Sequence, residues 1–330
     1  MRVLYVAMAH DYGDPARGAS FEETNFRSAL DGMGHDVTAF DFVAREQAVG
    51  RKAMNAELRD LADELAPDVA FFFLFKDEIA PRTIESVRAP TVNWFADDHW
   101  RFDDFTRHFA PSFDWSVTTD AESLPKYRAL GYDHAILSQW ACNRYAYDRV
   151  TDELAHEVTF IGQPHGGREK IVASLQEAGF PVECWGYGWP NGRVGHDEMV
   201  RIFASSAINL NLSNSSTMPW TLRMRVGAVV RGRRPWSPKR RSQIKGRTFE
   251  VPGSGGFLLT EHVPHLEDYF DIDREIATFH SERDLTEKVR YWLEHPDERA
   301  AVADAGYRRV RAEHTYDHRF AAIFREMGLT

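Results

Sequence analysis

The sequence predicts an α/β protein built from two Rossmann-like, doubly wound domains, and three observations carry that expectation. Short apolar runs alternate with helical stretches, the pattern of parallel strands covered on both faces. The alternation begins afresh at Val158-Thr159-Phe160-Ile161-Gly162, after a charged segment without periodicity between Arg144 and His156. A length of 330 residues is enough for two domains of ordinary size, each with its own core. The expected division is residues 1–148, residues 149–312 and a final segment over residues 313–330, with the two domains facing across a cleft.

The first series opens with Val3-Leu4-Tyr5-Val6-Ala7-Met8, a continuous apolar run. A turn-rich loop follows, His10-Asp11-Tyr12-Gly13-Asp14-Pro15-Ala16-Arg17-Gly18, then a helix over Phe21–Met33 and a second strand over Gly34–Phe40. This βαβ opening lacks the GxGxxG fingerprint of a tightly held dinucleotide. A helix near Met54–Leu65 precedes the apolar run Asp68–Leu74, and a helix around Pro81–Val87 precedes Thr91-Val92-Asn93-Trp94-Phe95-Ala96-Asp97-Asp98-His99-Trp100. There a strand ends in two carboxylates, an imidazole and an indole. Strand ends are where open α/β sheets bind ligands, and Asp97, Asp98 and His99 are candidates for acid–base work or sugar-hydroxyl contacts. Helix capping by Asp with His99 exposed is the structural alternative, and a manganese-binding Asp-x-Asp site is a further one. Trp115–Asp120 and Ala135–Leu137 complete the series.

In the second series, Val158–Gly162 runs into Gln163-Pro164-His165-Gly166-Gly167-Arg168, a glycine loop opening a helix. Backbone amides at such a start, with Arg168 beside them, suit an anion. Val182-Glu183-Cys184-Trp185-Gly186-Tyr187-Gly188-Trp189 interleaves aromatics with glycines, so Tyr187 or Trp189 is a candidate base-stacking residue; a capped turn at the sheet edge is the alternative. Asn209 and Asn211 alternate along the strand Ala207–Asn214, which aims one face at something polar. The stretch Ser215–Gln243, with three prolines, reads as an insertion or flap.

The densest signal is Lys245-Gly246-Arg247-Thr248-Phe249-Glu250-Val251-Pro252-Gly253-Ser254-Gly255-Gly256-Phe257-Leu258-Leu259-Thr260-Glu261. It reads as a helix start, a glycine turn that admits close backbone approach at Gly255 and Gly256, and a buried strand. Glu250 can accept two hydrogen bonds from a ribose diol, while Lys245 and Arg247 can neutralise a diphosphate. A solvated charged turn is the competing reading. The remainder reads as helical, over Pro264–Tyr269, Glu282–Leu293, Asp297–His314 and the amphipathic His318–Met327.

The formal charge of −10 argues against a general nucleic-acid binder. Its placement is uneven: no Asp or Glu lies between Glu198 and Glu250, an interval holding Arg201, Arg223, Arg225, Arg231, Arg233, Arg234, Lys239, Arg240, Arg241, Lys245 and Arg247. Such a tract points to an anionic partner or a mobile loop. Cys142 and Cys184 are too few for a disulfide framework and wrongly spaced for zinc. No apolar run reaches bilayer-spanning length and no leader pattern precedes the first strand, so a cytoplasmic location is expected.

The segment R-T-F-E-V-P-G-S-G-G-F-L-L-T-E, with P-H-L-E-D-Y-F, H-P-D-E-R-A-A-V-A-D-A-G and H-T-Y-D-H-R further on, resembles the CgeB-like, spore-maturation type glycosyltransferases of the GT-B fold. The resemblance implies transfer of a sugar from a nucleoside-diphosphate sugar to an acceptor (glycan, protein or small molecule), with no metal and no further cofactor. It implies that the donor lies mainly on the second domain, on Gly162, Arg168, Tyr187, Trp189, Asn211, Lys245, Arg247, Glu250, Gly255 and Gly256, and that the first loop and Asp97–His99 face the acceptor. It also implies that the last helix returns to the first domain. In the wider retaining group a glutamate matching Glu250 holds the donor ribose, and a second often stands eight positions earlier, where this chain has Ser242. Retention and inversion both stay open. A sugar-nucleotide epimerase, a non-catalytic sugar-nucleotide sensor and a polyanion binder using the basic tract are the alternatives. Arg247→Ala is expected to lower turnover by orders of magnitude and leave the fold intact.

Overall fold

Continuous apolar runs without alternation have both faces to cover, and parallel strands between helices are the arrangement that covers them. The computed structural model describes residues 1–151, 153–213 and 242–329. It divides into two compact units, Met1–Ala146 with Thr315–Thr330, and Tyr147–His314. The divisions thus fall after Ala146 and His314, where the sequence reading placed them after residues 148 and 312.

The first unit is a six-stranded parallel sheet of β1 (Arg2–Ala7), β2 (Asp36–Asp41), β3 (Val69–Phe72), β4 (Thr91–Phe95), β5 (Trp115–Thr118) and β6 (Ala135–Leu137), in the order β2-β1-β3-β4-β5-β6. Strand β1 pairs with both neighbours in one register, Val3 opposite Val37 and Val69. One face packs Leu4, Val6, Phe72 and Phe95 against Met54 and Leu58 of the Arg51–Leu65 helix. The other carries an aromatic layer in which Phe26 meets Phe71 and Trp94, with ring centroids 6.1 and 4.9 Å away. The last helix, Tyr316–Glu326, belongs to this layer: Phe320 lies 5.5 Å from Phe71 and 5.6 Å from Phe26.

The second unit is a five-stranded parallel sheet of β7 (His156–Ile161), β8 (Val182–Trp185), β9 (Ser206–Asn211), β10 (Leu258–Glu261) and β11 (Ala277–Phe279), in the order β11-β10-β9-β7-β8. Strand β11 corrects the expectation that everything beyond Glu261 is helical. Three residues are too few for a strand period to show in sequence, and Leu259 pairing with Ala277 is what makes them a strand. The Pro296–Glu313 helix runs unbroken through Gly306. A Cβ there would collide with the Glu275 carbonyl, so this glycine serves close packing and does not interrupt the helix.

Most of the stretch read as a flap, and with it Arg223, Arg225, Arg231, Arg233, Arg234, Lys239, Arg240 and Arg241, lies outside the described residues. Among the described residues no helix is long and apolar enough to cross a membrane.

Candidate active site

In an open α/β sheet the chain leaves one strand to one side and later returns to its other side, and the strand ends at that reversal leave a ligand crevice. In the second unit the reversal falls at β7, which has β8 on one flank and β9 on the other. Arg168 spans it. Its Nε and Nη2 donate to the Leu212 carbonyl just past β9, at 3.1 and 2.6 Å, and its Nη1 donates to the Gln163 carbonyl past β7, at 3.0 Å. Its guanidinium stacks 5.4 Å from the Phe160 ring. Arg247 approaches the same strand end from the Arg247–Gly253 helix, with Nε 3.5 Å from the Ile161 carbonyl and the guanidinium 5.2 Å from the Phe203 ring.

Glu250, one turn along that helix, is fully buried, and its Oε2 is ion-paired with Arg247 Nη1. Its Oε1 has no hydrogen-bond partner among the described residues. A buried acceptor without a partner is a costly state, on the order of 1–3 kcal/mol, which hydroxyl donors would relieve. Burial pushes the Arg168 guanidinium down to about 10; Glu261 opposes that shift and Arg247 adds to it. Arg168 is still charged at neutral pH. Two guanidiniums that repel each other, one of them stripped of water, are stabilised by an anion between them.

The other candidates of this unit divide. Gly162 sits in the site, and Trp189 is tied to it by an Nε1 hydrogen bond to its carbonyl of 2.8 Å while also packing on Phe160. Tyr187 is 70 % exposed. Lys245 is half-buried, two residues before the helix. Ser242 Oγ stands 3.4 Å from Glu261 Oε1.

Three readings are corrected. Asn211 is buried and donates to Thr260 Oγ1 at 3.0 Å and Thr248 Oγ1 at 3.4 Å, so its amide ties β9 to β10 and the helix instead of facing a ligand. A Cβ on Gly255 would run into Arg149, and one on Gly256 into the Phe203 carbonyl and Asn209 Nδ2. The glycine turn admits the protein's own chain, not a ligand.

In the first unit Asp97 is the residue before the short helix Asp98–Arg101 and, like His99, is half-buried. Asp98 does not present its carboxylate outward. It is 1 % exposed and accepts from Thr106 Oγ1 at 2.6 Å and Tyr127 OH at 2.7 Å. Burial raises it to about 6, against the pull of those hydrogen bonds. Asp98 is a packing carboxylate that joins the β4 end to the helices beyond it.

Sequence reasoning passed over Glu22, which follows the β1 loop and is 9 % exposed. Burial lifts its carboxyl from 4.5 to about 7; its own amide and the Ser20 hydroxyl pull it back, and Asp11 adds a little to the rise. Because the folded value lies above the unfolded one, the stabilising, protonated state is complete below about pH 4.5 and is lost as pH rises through 7. Ionisation then disfavours the folded unit by about 3 kcal/mol. Glu22→Gln is therefore expected to raise the melting temperature at pH 8 by several degrees and to bring no gain at pH 4. A gain of equal size at both pH values would show that Glu22 is not held protonated.

Residues 168–325 match the family model described as "Glycosyl transferase-like". The two doubly wound units are the GT-B fold: a sucrose-phosphate synthase from Thermosynechococcus elongatus superposes with a TM-score of 0.64 at 11 % identity, covering 99 % of this chain and 98 % of that one. HepE of Anabaena, solved in complex with UDP-glucose, superposes with a TM-score of 0.61 at 9 % identity over 100 % of both chains. The matched model is described as glycosyl transferase-like and the fold is the one these glycosyltransferases share. The chain is also similar to Spore protein CgeB of Bacillus subtilis (strain 168), 19 % identical over 244 residues that span 69 % of this chain and 72 % of that protein.

Proposed function

We propose that the donor is a nucleoside-diphosphate sugar and that its diphosphate and ribose are held at the β7 reversal by Arg168, Arg247 and Glu250. The observation that carries this reading is the pairing of two crowded guanidiniums with a buried carboxylate that has one oxygen unpartnered among the described residues. Arg247 keeps Nη1 on Glu250 Oε2 and offers its remaining N–H groups to phosphate, while Glu250 Oε1 accepts from the ribose hydroxyls. Lys245 adds charge at the entrance, and Tyr187, exposed and aromatic, stacks on the base.

In the reaction the bond between the anomeric carbon and the diphosphate oxygen breaks, and its electron pair stays on the diphosphate. The acceptor oxygen bonds to that carbon and gives up its proton, which the departing diphosphate oxygen accepts. Charge builds on the leaving oxygen, and fixed guanidiniums stabilise it in place of a metal ion. HepE, solved with UDP-glucose, supports the choice of donor class.

A thermal-shift screen against UDP-, GDP-, dTDP-, ADP- and CMP-sugars tests the reading, since a ligand of the native state raises its melting point. One of these is expected to raise it by several degrees, with the shift kept in excess EDTA and lost in Glu250→Gln. No shift with any of them, or one as large in Glu250→Gln as in the native chain, sinks the assignment.

A further inference from the structure

One carboxylate stands among the guanidiniums of the second sheet. Glu261 is the last residue of β10, which runs beside β9 with Thr260 opposite Asn211. Glu261 therefore comes level with Leu212, whose carbonyl Arg168 holds. Side chains two apart on a strand share a face, so Glu261 follows Leu259, which packs in one core with Phe160 and Leu212. Arg168 stacks on that same Phe160 ring. Glu261 is half-buried, and Ser242 Oγ donates to its Oε1 at 3.4 Å. It also offsets part of the fall that burial imposes on Arg168, as a carboxylate near a guanidinium does.

A fixed negative charge repels phosphate, and more strongly in a half-buried setting than in water. At a diphosphate site such a residue suits a part of the ligand that carries hydroxyls and no negative charge. In a nucleoside-diphosphate sugar there are two such parts. Glu250 accounts for the ribose, which leaves the sugar that is transferred.

We propose that Glu261, oriented by Ser242, selects the transferred sugar, and that this sugar is a neutral hexose with two adjacent free hydroxyls. The proposal rests on the reading of Arg168, Arg247 and Glu250 as the diphosphate and ribose site. The two oxygens of one carboxylate accept from both hydroxyls of a vicinal pair. A uronate in the same place would set a second carboxylate against Glu261, and like-charge contact is an effective means of rejection. The same carboxylate thus favours the neutral sugar and excludes the acidic one.

Calorimetric titration of the full chain tests this with UDP, GDP, dTDP and ADP, each bare and as its glucose, galactose, mannose and glucuronate conjugates. The quantity read is the affinity of a conjugate divided by that of its own bare diphosphate. In the native chain that ratio is expected to be higher for at least one neutral conjugate than for the glucuronate on the same base. Glu261→Gln lowers the ratio for the neutral conjugate by about tenfold, the effect of losing a hydrogen bond to a charged group, and raises it for the glucuronate. Ser242→Ala moves the neutral ratio the same way by a smaller factor. Binding of the bare diphosphate shows that each variant is folded. If Glu261→Gln strengthens bare and conjugated ligands alike, Glu261 is only a counter-charge for Arg168 and the proposal is overturned. Unchanged affinities in that variant, or a native chain that takes glucuronate as well as neutral conjugates, overturn it equally. Failure of the native chain to bind any bare diphosphate or conjugate overturns the donor reading itself, and this assignment with it.

Discussion

Arg247→Ala is expected to lower turnover by about 10²–10³-fold, the effect of removing one preorganised donor from a developing anion. The sequence reading expected this variant to keep its fold, and the structure corrects that part. Glu250 is fully buried and ion-paired with Arg247, so removal of the guanidinium strands a buried carboxylate, which destabilises by about 3–5 kcal/mol. The two effects separate in the Arg247→Ala/Glu250→Gln double variant. A neutral amide needs no counter-charge, so most of the stability returns while the turnover does not. Arg247→Lys is a sharper probe still, because it keeps the charge and loses the planar fork. Steady-state transfer rates and urea unfolding midpoints for the three variants read both quantities. Native turnover in Arg247→Ala at a temperature where it is folded would remove Arg247 from the mechanism.

Gly256→Ala is expected to destabilise the second unit by about 2–4 kcal/mol, from overpacking together with a broken buried hydrogen bond. The added methyl meets the Phe203 carbonyl and lies 2.8 Å from Asn209 Nδ2. That amide holds the Phe203 and Phe257 carbonyls at 3.0 and 3.2 Å, so neither neighbour can move without loss. Gly255→Ala should lose less. It meets the Arg149 side chain, which can swing aside, though at the expense of its 2.6 Å ion pair with Asp304 and a φ of 78°. Denaturant unfolding of the two variants gives the order. If Gly256→Ala unfolds like the native chain yet no longer binds a sugar nucleotide, the glycine is there for the ligand after all.

Much of the proposed donor site is legible in the chain alone. Arg168, Arg247 and Glu250 are charged residues beside glycine turns and strand ends, and few folded environments other than a ligand site or a solvated surface accommodate them. Asn211, Asp98 and Gly256 were misread for a related reason. A polar side chain, or a glycine at a turn, looks the same in sequence whether it faces a ligand or another part of the protein. Thr260 for Asn211, Tyr127 for Asp98 and Phe203 for Gly256 are each 29 or more residues away along the chain. Glu22 left no sequence signal, because burial is a property of the folded chain.

The sequence by itself determined the two series of parallel strands, since continuous apolar runs between helices have both faces to bury and no other arrangement covers them. It also determined which charges stand beside glycine turns. Tertiary structure alone decided where the second sheet reverses, and therefore which strand ends meet: β7 with β9 beneath Arg168. The physical reason is range. Periodicity and turn chemistry act over a few residues, whereas strand order and the hydrogen bonds that consume a buried polar group join residues tens of positions apart.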